Sequence, residues 1–151
     1  MTSTSERNLR PAGARGRRKA AGRILGVAVA ACLAVDAYVH LQDAAYYETV
    51  RTSLLSQAGL FRIQAGLAAV LAVAVLVWPR RATWGAAAVL LASAFVAVVL
   101  YTYVDPGQLG PVPDMYEPTW DLPGKLASAW AEGVGACLAV LGLLVARAGR
   151  T

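Results

Sequence analysis

Four stretches of this chain carry almost no polar side chains over the length of a bilayer crossing. They run from about residue 24 to 41, 60 to 78, 84 to 104 and 126 to 146. Each is close to the ~20 residues that a helix needs to cross a hydrocarbon core about 30 Å thick. The third is the cleanest, its Ala, Val and Leu broken only by Ser93 and by terminal aromatics and threonine. The first is the weakest, because the uninterrupted run from Ile24 to Val35 becomes a full span only if Asp36 and His40 lie within the helix. None shows the alternation of a membrane β-strand. The pattern predicts an all-α polytopic membrane protein, a four-helix transmembrane bundle.

The connections differ in character. Pro79 to Thr83 is so short that it must join adjacent antiparallel helices. Between 42 and 59, Tyr46, Tyr47, Val50, Leu54 and Leu55 recur at near-helical spacing, which predicts a short helix lying in the interface. From 105 to 124 the chain carries Pro106, Pro111, Pro113, Pro118 and Pro123, which preclude a continuous helix. Met115, Tyr116 and Trp120 make that segment apolar enough to dock as an ordered cap on the mouth of the bundle, as an interfacial aromatic belt would.

Composition agrees with lipid as the solvent. Of 151 residues, 58% are hydrophobic and 15% charged, against roughly half and a quarter in soluble domains. The net charge of +5 would suit a nucleic-acid binder, but its distribution argues otherwise. Residues 1–23, the link at Arg80 and Arg81, and the end of the chain at 147–151 hold eleven of the fourteen basic residues and one acid, Glu6; three basic and eight acidic residues remain elsewhere. That is the positive-inside pattern. It predicts both termini in the cytoplasm, a disordered basic tail over 1–23 lying on anionic headgroups, a plasma-membrane location, and no nucleic-acid partner.

The first span must also be tested as a signal peptide. Val29, Ala30, Ala31 and Cys32 fit a lipoprotein cleavage box behind Arg17, Arg18 and Lys19, but the chain stays apolar beyond Cys32, so a retained span is expected. Cys32 and Cys137 form no C-x-x-C pair and read as small apolar filler.

The informative residues are those that a membrane makes costly, at about 2.5 to 3.5 kcal/mol for an ionisable group at the centre of a span. Cys32, Asp36, His40 and Asp43 follow one face of the first helix, spread over about 80°. Arg62 and Gln64 begin the second, Tyr101 lies near the end of the third, and Ser128 and Glu132 line the fourth, with Gly135, Ala139 and Gly142 continuing that stripe as a surface for close helix approach. Helices packed in sequence order bring Asp36, His40, Arg62, Gln64, Tyr101 and Glu132 together, with Tyr116 and Trp120 as the cap above them. Asp36, Arg62 and Glu132 are expected to be mutually close, as an ion-paired clasp or as an outward-facing site.

A single histidine excludes bis-histidine haem and histidine-rich di-iron centres. Asp36, His40 and Glu132 offer three ligands for a divalent metal, whereas the common open triad has two histidines and one carboxylate. The sequence-level expectation is therefore no metal and no cofactor.

The segments Asp36-Ala-Tyr-Val-His40-Leu41, Leu60-Phe-Arg62-Ile-Gln64-Ala65, and Asp105-Pro106 through Leu109-Gly-Pro-Val-Pro-Asp-Met115-Tyr-Glu117-Pro-x-Trp120 resemble a group of uncharacterised four-helix integral membrane proteins of high-GC Gram-positive bacteria. In architecture alone the chain is similar to DoxX-like proteins. The resemblance implies a cell-membrane location and no particular activity. The expected function is a non-enzymatic scaffold or accessory subunit that contacts an envelope protein or a second copy of itself. The alternative is a bundle whose outward-facing polar site binds or processes a small amphiphile, such as a quinone or a lipid.

Overall fold

The computed structural model describes residues 12–148. Its elements are α1 (Ala12–Tyr46), α2 (Gln57–Val77), α3 (Arg81–Tyr103) and α4 (Lys125–Ala148). All four are long and apolar enough to cross a membrane. Their outward surfaces are those of a lipid-facing bundle: Val70 is 67% exposed and Val89 is 70% exposed, a display of large aliphatics that water would not tolerate over so wide an area. The protein is an all-α, multi-pass membrane protein.

The boundaries moved in ways that matter. Helix α1 continues through Asp36, His40 and Asp43 to Tyr46, so the interfacial helix expected over 42–59 is absent. Part of its apolar sequence extends α1, and the rest forms a tight reversal. Val50 O accepts from Gln57 N (2.9 Å), and Leu55 O accepts from Thr52 N (2.8 Å). At its other end α1 begins at Ala12, so residues 12–23, expected as part of the tail, are helical. Residues 1–11 and 149–151 lie outside the described residues. Helix α2 starts at an N-cap, Ser56, whose hydroxyl accepts from Gly59 N at 3.0 Å, and Pro79 prevents its continuation.

Lipid tails are as apolar as leucine, so helix association here depends on close packing. The core is made of Val29, Leu33, Ala65, Ala68, Val75, Trp84, Ala87, Leu91 and Ala139. Gly26 of α1 lies under the Val75 carbonyl of α2 and the Trp84 ring of α3, and Gly142 of α4 lies against the same ring with no room for a Cβ. At Gly135 a Cβ would stand 2.8 Å from Cys32 Cβ and 2.9 Å from Leu91 Cδ1. The small-residue stripe on α4 thus brings α4 against α1 and α3. It fixes one end of the bundle, next to Arg80 and Arg81, as a close-packed wedge around Trp84.

The opposite end holds the cap. Two of its glycines, Gly107 (φ 64°) and Gly110 (φ 60°), adopt the left-handed conformation that its turns require. Tyr101 O accepts from Glu117 N at 2.9 Å, tying the middle of the cap to α3. Thr52 Oγ1 donates to Pro111 O at 2.9 Å, tying it to the α1–α2 connection. Gly124, at φ 85°, packs on Val39 as the chain enters α4.

Candidate functional site

Asp36 is the centre of the polar end. It is fully buried, and three helices supply its surroundings. From α2, Gln64 Nε2 donates to Asp36 Oδ2 at 3.0 Å. From one turn along α1, His40 Nδ1 lies 3.0 Å from the Asp36 carbonyl oxygen and 3.1 Å from Oδ1. From α4, Glu132 approaches closely enough that one ligating atom from each of Asp36, His40 and Glu132 falls within 4.8 Å of the other two. Ser128, a turn earlier on α4, donates from Oγ to Glu132 Oε1 at 2.7 Å. Glu132 Oε2 has no hydrogen-bond partner among the described residues.

A cavity of about 360 Å³ opens from this cluster. His40, Gln64, Ser128 and Glu132 form its polar floor, and Leu60, Phe61, Ala94, Ala97 and Val98 form apolar walls. Phe61 meets the His40 ring edge-on with centroids 5.1 Å apart. Asp43, Tyr47, Met115, Glu117, Leu122 and Lys125 line the cavity toward the cap. Ile63 and Ser93 also line it while remaining exposed on the outer surface of the bundle. The cavity therefore opens sideways between α2 and α3, the consecutive helices with the sparsest mutual contact.

The placement of the expected site residues is uneven. Asp36, His40, Gln64 and Glu132 come together, and Tyr101 joins the cavity wall. Arg62 does not join them. It is 53% exposed and pairs with Glu48 beyond the end of α1. Gln64 already faces inward, and a residue two positions earlier on a helix points to a different face. The expected proximity of Asp36, Arg62 and Glu132 is thus corrected to Asp36, His40 and Glu132.

The cap residues are corrected in the same way. Met115 and Glu117 line the cavity whereas Tyr116 between them does not, as alternation along extended backbone requires. Trp120 also lies outside the lining; its indole N–H donates to the Tyr103 hydroxyl at 3.2 Å.

Lys125 begins the face of α4 that carries Ser128 and Glu132, and it lines the cavity although it is not among the expected site residues. Although buried, its ammonium donates to Glu117 O at 2.6 Å and Thr119 O at 2.7 Å, and it lies 5.2 Å from the centre of the Trp120 ring. A cation in the first turn opposes the positive end of the helix dipole, and these cap carbonyls offset that cost. The signal available in the sequence was a lysine directly after Pro123-Gly124. Tyr47, just beyond α1, is partly buried; desolvation, with Glu117 and Asp43 nearby, pushes its phenol above the ordinary range.

The chain matches no protein-family model, no curated protein and no solved structure. Function must therefore be argued from the site itself.

Proposed function

We propose that this protein is a membrane-embedded binding protein for a small amphiphile, with the polar end of the ligand received by His40, Gln64 and Glu132. The observation that carries this reading is the cavity of about 360 Å³, with aliphatic and aromatic walls above a floor of buried, hydrogen-bonded polar groups. Small-molecule sites have this construction: mostly apolar, with a few converging polar groups, in volumes of about 300–1,000 Å³. A purely structural clasp needs no such space beside it. The opening toward lipid favours a ligand with an acyl or prenyl portion, a lipid or a quinone. The basic residues at the Trp84 end and the positive-inside rule support a cytoplasmic placement of that end, with the capped end outside. The four apolar spans and the asymmetric distribution of basic residues support a plasma-membrane location.

The test is mass spectrometry of small molecules that copurify with the full chain in mild detergent, compared with Ala97→Trp, which fills the cavity. The wild type is expected to retain a stoichiometric amphiphile and the variant about tenfold less or none, a factor equivalent to about 1.4 kcal/mol, with the variant still showing a cooperative melt of a folded protein. Equal retention by both would overturn the reading.

A second reading, an accessory subunit of an envelope complex, is favoured by Leu54 at 78% exposed and Leu109 at 47% exposed, both in the connections at the capped end. A stoichiometric protein partner in place of a small molecule would support it.

A further inference from the structure

We propose that Asp36, His40 and Glu132 bind one divalent first-row transition cation at the floor of the cavity. The three donors already stand within 4.8 Å of one another. With metal–ligand bonds of about 2.0–2.2 Å, two ligands of the same ion are separated by at most about 4.4 Å, so small rotamer changes complete the set.

Three further observations point to the ion. Glu132 is 1% exposed, yet its Oε2 has no hydrogen-bond partner among the described residues; a buried acceptor of that kind calls for a ligand. The outer contacts are those of a metal site. Ser128 holds Glu132 Oε1 and Gln64 holds Asp36 Oδ2, so each carboxylate is oriented by a donor behind it. His40 Nδ1 faces two acceptors, the carbonyl and the carboxylate of Asp36. A ring nitrogen thus already stands against the carboxylate with which it would share the ion.

Charge gives the third argument. Two carboxylates buried at membrane depth require compensation. Arg62 is committed to Glu48, and Lys125 to two cap carbonyls two turns before Glu132. One divalent cation held by both carboxylates cancels both negative charges at once. One imidazole with two carboxylates suits Zn²⁺, Mn²⁺ or Fe²⁺ better than a soft or an all-oxygen ion, and the adjoining cavity supplies room for exogenous ligands.

The test uses the full chain without a polyhistidine tag, stripped with chelator in detergent and dialysed against Zn²⁺, with bound metal counted by plasma mass spectrometry. One Zn²⁺ per wild-type chain is expected, accompanied by a rise in melting temperature. Glu132→Gln, which preserves shape, should weaken binding by more than the roughly 10–100-fold that loss of an outer-shell partner costs, and Ser128→Ala should fall within that range. If Glu132→Gln fails to fold, Ser128→Ala, which leaves all three ligands in place, still supplies the comparison. Absence of stoichiometric metal in the wild type overturns the proposal. So does unchanged affinity in both Glu132→Gln and Ser128→Ala, since the metal is then elsewhere. The inference stands apart from amphiphile binding: a chain that binds Zn²⁺ but retains no amphiphile refutes only the previous proposal, and the converse refutes only this one.

Discussion

The two halves of the bundle use the same four helices and the same Ala, Val and Leu, yet they solve opposite problems. Around Trp84, Gly26 of α1 and Gly142 of α4 close on one large ring, and Gly142 has no space for even a methyl group. Around Asp36, the facing positions are polar, the helices stand apart, and a cavity remains. In lipid, where burial between helices gains little over burial in acyl chains, the first half supplies shape complementarity and the second is free to hold groups that cost stability. The division allows a polar site to exist in so small a membrane protein.

Substitution series can break this comparison. The largest effect is expected from Trp84→Ala, which leaves the ring's space unfilled between Gly26 of α1 and Gly142 of α4 and should cost about 3–5 kcal/mol, read as loss of resistance to thermal or denaturant unfolding in detergent. A milder effect equal to that of a cavity-wall truncation such as Val98→Ala would mean that the wedge is not the stronger half.

A matched enlargement comes next. Gly135→Val meets Cys32 and Leu91 and should destabilise by about 1–3 kcal/mol, whereas Ala97→Val, on the cavity wall, should stay within about 0.5 kcal/mol of wild type. Equal melting shifts for the pair would contradict the difference in packing. The smallest effect is expected from Arg62→Ala: an exposed ion pair with Glu48 contributes about 0.2–1 kcal/mol. A melting loss as large as that of Gly135→Val would restore Arg62 to the polar cluster.

Much of the architecture was legible because the cost of exposing backbone to lipid makes spans continuous and long. All four appear, with α1 extended at both ends. That extension was hidden because Asp43 and the tyrosines around it read as interfacial, and only tertiary contacts show how far a helix persists beyond its apolar run. Asp36, His40, Gln64 and Glu132 were legible from their cost. Arg62 lies at the depth of the cluster but at the wrong azimuth, since Gln64 takes the inward face of α2 and Arg62 pairs with Glu48. The cap escaped for a different reason. Which of Met115, Tyr116 and Glu117 turns inward depends on where Tyr101 O and Thr52 anchor the chain, contacts between residues too distant in sequence to leave a local pattern.

The gap between α2 and α3 where Ile63 and Ser93 meet the cavity has a consequence for how any occupant is counted. Under the proposed amphiphile binding, a molecule entering there would come from within the leaflet, searching in two dimensions. Its governing concentration would be its mole fraction among the lipids, so dilution of the protein sample with buffer should leave occupancy unchanged while dilution with added lipid should empty the site.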